Sequence, residues 1–322
     1  MKVIEITTPG AADVLAMSER EKPSITANEV LVKVSAAGVN GPDLVQRRGH
    51  YPPPKGASDL LGLEISGEIV ECGADVSEWK VGDKICALTN GGGYAEYVAV
   101  NAGHCLPIPD GISGIDAAGL PETYFTVWSN IFMGHDIPEG INFLIHGGAG
   151  GIGTSAIQLG AALGLNVFTT VSSDENAAFC KELGAHTTIN YRDNDFVEVV
   201  KEAGGAHIIL DIVGGDYIAR NIKAARADGR IVQLAFNQGS KVEINLMPIM
   251  LKRLTFTGST LRSRSDASKA AITKSVREQV WPLFNQSKLR PVTGVTLPLE
   301  EASKAHAMME AGGHKGKIIL TL

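Results

Sequence analysis

Between Ile141 and Gly164 a short apolar run meets a glycine-rich turn and then a segment with helical spacing, INFLIHGGAGGIGTSAIQLGAALG. Ile141, Phe143, Leu144 and Ile145 read as a strand, and Ile152, Ala156 and Leu159 fall on one helix face. Gly148, Gly150 and Gly153 spell G-x-G-x-x-G, with Ala149, Gly151 and Ile152 in the gaps. In such a unit one glycine permits a tight turn. The next lets a pyrophosphate approach the backbone, and the third lets the helix pack close to its strand. The free amides and partial positive charge of the helix start then hold the phosphates. Glycine spacing alone is weak evidence, and a flexible glycine loop would show it too. The apolar patterning on both sides sets this stretch apart.

The pattern changes around this motif. Up to about residue 118 the chain reads as short strands: Val30, Val32 and Val34 alternate with Leu31, Lys33 and Ser35, and segments 64–71, 81–88 and 94–100 are similar. Gly, Pro, Asp and Asn punctuate them, so a barrel or sandwich is expected. From about 119 strands alternate with helices: strand 166–171, helix 174–183 after Ser173, strand 186–191, helix 194–203, strand 206–212, helix 216–225 and strand 230–235. That alternation predicts a doubly wound parallel sheet. A further strand is expected at 253–260, a long amphipathic helix over 261–284, and a last strand at 316–322 with no place in the nucleotide fold. The expected division is 1–118 with 261–322 for the β-rich domain and 119–260 for the nucleotide domain.

The 322 residues suffice for two cores, and 44% hydrophobic with 20% charged residues is ordinary globular composition. A net charge of −6 argues against a nucleic-acid binder. Cys72, Cys86, Cys105 and Cys180 lack C-x-x-C spacing, which favours a reducing compartment over a disulfide framework or zinc cluster. The first residues, MKVIEITTPG, lack the apolar stretch of a signal peptide, and no apolar run reaches the ~18 residues of a membrane helix. A cytoplasmic protein without membrane attachment is therefore expected.

The second strand of the nucleotide domain ends in Val171-Ser172-Ser173. NAD-binding versions place a carboxylate there for the ribose 2′-hydroxyl. Here two hydroxyls take that position and Asp174 comes just after it, which favours NADPH over NADH. Tyr191 and Arg192 follow the third strand and are candidates for the same pocket. Ser173 also has the character of a helix N-cap, a role compatible with phosphate binding.

Several stretches together resemble the zinc-free, zeta-crystallin-like NADPH:quinone oxidoreductases of the medium-chain dehydrogenase/reductase superfamily. They are GVN (38–40), GHYPPP (49–54), GLEISGEI (62–69), VGDKICAL (81–88), GGGYAEYV (91–98), HGGAGGIG (146–153) and GSTLRSRS (258–265). The resemblance implies an α/β chain: a Rossmann doubly wound parallel sheet plus a GroES-like β-rich domain built from both chain ends. It places the cofactor in the cleft and implies a homodimer formed through the edge of the nucleotide sheet. Asn40 and Thr126 would lie near the nicotinamide, Gly150, Gly151 and Ile152 at the pyrophosphate, and Ser173 with Tyr191 at the 2′-phosphate. Val213, Phe236, Thr260 and Leu261 would line the ribose and ring, and Lys317 would approach the cofactor. Two departures stand out: Asn176 replaces a lysine that pairs with the 2′-phosphate in relatives, and Val45 replaces a tyrosine found in some.

Zinc alcohol dehydrogenases of the superfamily carry a G-H-E triplet where this chain has Gly62-Leu63-Glu64. Leucine cannot ligate zinc, so direct hydride transfer to an electron-poor small molecule, a quinone or an enone, is the expected chemistry. His146 reads as a strand-end packing residue before a metal ligand. Tyr51, beside Pro52-Pro53-Pro54, is the one candidate acid or substrate anchor, against the plainer reading of an exposed loop aromatic. Arg262 and Arg264 read as solvated, as domain-contact pairs, or as steering an anionic group. An alkenal or enoyl reductase, and a weakly catalytic NADPH-binding protein, are the competing readings.

Overall fold

Strands with alternating burial build the first unit, Met1–Phe125 with Leu261–Leu322. The structure is a computed structural model that describes residues 1–322. β1 (Lys2–Ile6) and β2 (Leu15–Glu19) form an antiparallel ribbon. β3 (Glu29–Gly38) runs into helix α1 (Gly41–Arg47), followed by β4 (Glu64–Cys72), β5 (Lys84–Leu88), β6 (Tyr97–Asn101), β7 (Cys105–Pro107), the short helix α2 (Gly114–Ala117) and α3 (Pro121–Val127), whose last two residues already count with the second unit.

The second unit, Thr126–Thr260, alternates strand and helix. It contains β8 (Asn142–His146), α4 (Gly151–Ala162), β9 (Asn166–Val171), α5 (Asp174–Glu182), β10 (Thr187–Asn190) and α6 (Phe196–Glu202). It continues with β11 (Ala206–Asp211), α7 (Tyr217–Ala224), β12 (Ala225–Gln233), α8 (Met247–Lys252) and β13 (Thr255–Gly258). The six strands are all parallel, in the order β10-β9-β8-β11-β12-β13. That is the 3-2-1-4-5-6 order of a dinucleotide fold, and β8 and β11 flank its switch point, where ligands bind beyond the strand ends. Leu144, Phe168, Ile209 and Ile231 lie in its core.

The chain then returns to the first unit as α9 (Asp266–Gln279), α10 (Trp281–Asn285), β14 (Thr293–Pro298), α11 (Ala302–Ala311) and β15 (Lys317–Thr321). β15 pairs antiparallel with β3, Ile319 opposite Gly38. The sheet order is β14-β15-β3-β4-β5-β7, with β6 also on β3. Ile65, Ile69, Ile85, Val98, Ile318 and Leu320 fill the core beneath it.

Three local expectations are corrected. The single helix expected over 261–284 is two: Pro282 lies in the first turn of α10 and the chain breaks at Val280. The strand expected from Tyr94 begins only at Tyr97. The glycines of the turn also divide their work differently. The left-handed residue is Gly147, φ 75°, outside the G-x-G-x-x-G spacing. Gly148 packs against Thr169 and Cys180, and Gly153 lies on the backbone of Gly147 and Gly148, where a Cβ would come within 2.6 Å of Gly148 Cα. The close approach of α4 to its strands is made by Gly160, against Val167 and Phe143. Gly150 alone faces open space, its nearest neighbour a carbonyl 3.8 Å away.

Gly153→Ala must therefore push the turn open, at a cost of about 1–3 kcal/mol. Gly150→Ala, with φ −79° and no clash, is expected within about 0.5 kcal/mol of wild type in chemical denaturation.

Candidate active site

In the second unit the turn delivers backbone amides. The first helical bond runs from Thr154 N to Gly150 O, so the amides of Gly151, Ile152 and Gly153 precede the ladder. The turn is tied to the sheet by Gly148 N donating to Thr170 O at 3.1 Å.

Behind it runs a buried polar chain. Gly147 N donates to Thr170 Oγ1 at 3.3 Å, and Thr170 Oγ1 lies 3.0 Å from His146 Nδ1. His146 Nε2 is 2.7 Å from Asn221 Oδ1, and Asn221 Nδ2 donates to Asp211 Oδ2 at 2.9 Å. Asp211 Oδ1 accepts from Val213 N at 2.6 Å and Gly214 N at 3.2 Å. Because the Asn221 amide nitrogen faces Asp211, its oxygen faces the imidazole. The network therefore assigns the proton to His146 Nε2, with Nδ1 accepting from Thr170. Burial holds His146 below the usual histidine range and so neutral, against the opposing pull of Asp211. Phe196 and Tyr217 pack edge-on against its ring. His146 is a fully buried structural residue that joins the ends of β8, β9 and β11.

The remaining candidates of this unit lie on several of its elements. Ser173 caps α5, its Oγ accepting from Asn176 N at 3.2 Å with the hydroxyl hydrogen left to donate elsewhere. Ser172 Oγ accepts from Asn176 Nδ2 at 3.3 Å. Asp174 Oδ1 is turned to Asn190. Tyr191 is exposed and its amide donates to Val171 O, joining β10 to the end of β9. Val213 follows Asp211, and Phe236, 46% exposed, packs on Gly214. Thr126 lies in α3, its carbonyl accepting from Asn130 Nδ2. Thr260 closes the unit, whereas Leu261 is buried in the other one.

In the first unit a fully buried carboxylate organises the site. Glu64 Oε1 accepts from Lys317 Nζ at 2.6 Å and Asn40 Nδ2 at 3.0 Å, and Oε2 from Glu122 N at 2.9 Å. It lies across Gly38, where any Cβ would collide with the carboxyl group. Lys317 donates also to Asn40 Oδ1 at 2.6 Å and Val39 O at 3.0 Å, so all three ammonium hydrogens are spent within the unit. Within the unit Lys317 thereby fixes the Asn40 amide. Asn40 N in turn donates to Asp43 Oδ2 at 2.9 Å, and Gly62 N to Asp43 Oδ1 at 3.1 Å. Burial raises Asp43 to about 6 despite those bonds.

Tyr51 is half-buried, with the Arg262 guanidinium 5.7 Å from its ring centre. Burial, then the nearby Glu122 charge, raises its phenol above the ordinary value, so it remains a hydrogen donor. Arg262 is not solvated: it is 5% exposed and donates to Gln46 Oε1 and to Asn90 O. The residues do not fit a catalytic zinc. Leu63 offers no ligand atom, Glu64 is already neutralised by an ammonium, and no group of three His, Cys, Asp or Glu side chains is placed to hold a metal.

Residues 26–110 match the family described as alcohol dehydrogenase GroES-like domain, and residues 151–276 that described as zinc-binding dehydrogenase. The quinone oxidoreductase of Lama guanicoe is 30% identical over 334 residues, covering 100% of this chain and 98% of the relative. The chain belongs to the quinone oxidoreductase family. A solved member, Escherichia coli quinone oxidoreductase complexed with NADPH, is 27% identical, with TM-score 0.90 and full coverage of both chains. The structure of a 2-haloacrylate reductase is 26% identical, with TM-score 0.83, covering 100% of this chain and 99% of the other.

Within this family fold, sequence reasoning missed Asp211, Asn221 and Glu122. Asp211 had a signal, an acid closing an apolar strand; the other two are legible only once the fold brings partners to them. Asn221→Ala removes the middle of the buried chain and leaves His146 and Asp211 each one bond short. It is expected to cost about 2–6 kcal/mol in denaturant titration, at roughly 1–3 kcal/mol per unsatisfied group.

Proposed function

We propose that the chain is an NADPH-dependent oxidoreductase that transfers hydride to quinones without a metal. The observation that carries this reading is the end of β9: Ser172 and Ser173, hydroxyls in place of a carboxylate, beside a glycine turn whose Gly150 is open to a ligand. Gly148, Ala149, Gly150, Gly151 and Ile152 would hold the pyrophosphate, and Ser172, Ser173 and Tyr191 the 2′-phosphate. Val213, Phe236, Thr260 and Leu261 would line ribose and ring, with Asn40 and Thr126 toward the nicotinamide. NADPH supplies the hydride when bound. The chain's own residues bind it, orient it and exclude water.

A quinone delocalises the charge it receives, so a site without Lewis acid suffices. An activated enone is the second acceptor class, supported by the similarity to a 2-haloacrylate reductase. No helix is long and apolar enough to cross a membrane, and the four free thiols suit a reducing cytoplasm. A homodimer is supported by the second unit's edge. β13 is exposed throughout, and beside it in sequence Leu246, Met247, Met250 and Leu251 are each more than half exposed. Apolar surface on an open sheet edge is a place for a second copy.

The test is cofactor oxidation by the purified protein across a panel of quinones and 2-alkenals. Quinone-dependent turnover with NADPH at least about tenfold above NADH is expected, narrowing in Ser173→Ala by the loss of one charged hydrogen bond. Background rates with every acceptor would refute the reading.

A further inference from the structure

Resting on the function proposed above, we propose that Glu122 is the proton donor to the reduced acceptor. Its backbone is pinned by the bond from its amide to Glu64 Oε2. Its carboxyl, in contrast, makes no hydrogen bond or ion pair to the protein, and the residue as a whole is partly exposed. The carboxylate of Glu64 and the charged groups of Asp43, Lys317 and Lys269 act on it, and Glu122 in turn acts on Tyr51, Arg262 and Lys269. Burial, reinforced by the Glu64 charge, holds its proton up to about 8. A carboxyl that is protonated at neutral pH and has no protein partner has one hydrogen to give.

The two protic groups of this cluster divide the work. Tyr51 is the weaker acid and suits a hydrogen bond to the acceptor carbonyl. Glu122 is the stronger and suits transfer. Hydride from NADPH carries two electrons to the quinone and leaves NADP⁺. The hydroquinone monoanion takes the proton from the Glu122 carboxyl oxygen, and the carboxylate is reprotonated by water. The sum is quinone, NADPH and one proton giving hydroquinone and NADP⁺. An enone uses the same proton at its enolate.

The experiment is the pH profile of kcat for wild type and Glu122→Gln, over quinones whose hydroquinone anions differ in basicity. Wild type is expected to lose rate above about pH 8 as Glu122 ionises. Glu122→Gln is expected to lose that limb and about 10²-fold in kcat, with the loss growing with anion basicity and with NADPH affinity unchanged. A packing role would move none of the pH or basicity trends. Folding stability gives a further check: between about pH 4.5 and 8 folding wild type must take up a proton at Glu122, so its stability falls with rising pH there, and this fall is expected to be absent from Glu122→Gln. An active wild type whose rate and pH limb survive in Glu122→Gln overturns the inference. A wild type inactive with all quinones and enones instead overturns the reading of function.

Discussion

A carboxylate with no solvent exposure must be neutralised where it stands, and Glu64 is neutralised by the last strand of the chain. β15 enters the sheet beside β3 and brings Lys317 within 2.6 Å of Glu64. Such a pair gains little over an apolar one, because both ions have lost their water. What it does here is hold geometry. The ammonium locks the Asn40 amide, the carboxylate locks the Glu122 backbone, and both residues sit at starts of helices, α1 and α3, that follow sheet strands or loops. The return of the chain's end to its beginning is thus a condition for the shape of the first unit's polar cluster.

The second unit solves a different problem with the same means. Its central strands β8, β9 and β11 are buried, so polar groups at their ends need partners within the fold. His146, Asn221 and Asp211 provide them in series, each facing the next by its only compatible atom. The glycine turn and the loop after β11 are therefore held by one connected network. Serine at the end of β9 leaves the neighbouring surface free of a facing carboxylate.

The fold was largely legible in the sequence because its determinants are local. Apolar runs of strand length, the glycine turn and Ser173 before a helical stretch each act within a few residues. So was the lack of a metal ligand at Leu63. What could not be read were contacts between distant segments. Gly38 and Glu64, or Glu122 and Glu64, show no relation along the chain, and the burial of Arg262 depends on Asn90 and Gln46 meeting it. The division of labour among the glycines was misread for a related reason. Gly153 answers to the turn's own backbone and Gly160 to the sheet, and spacing alone does not distinguish them. The three acceptors of Lys317 inside the first unit, on Val39, Asn40 and Glu64, likewise lie far from it along the chain.

The most direct test of that central pairing is a double-mutant cycle on folding free energy with Lys317→Met, Glu64→Gln and the two combined. Each single change leaves a buried polar group without its partner, and Lys317→Met is expected to cost about 3–5 kcal/mol. The double variant should then be less destabilised than the sum by a coupling of about 1–3 kcal/mol. Additivity within about 0.5 kcal/mol would show that the two residues act independently and that the chain's end does not organise the site.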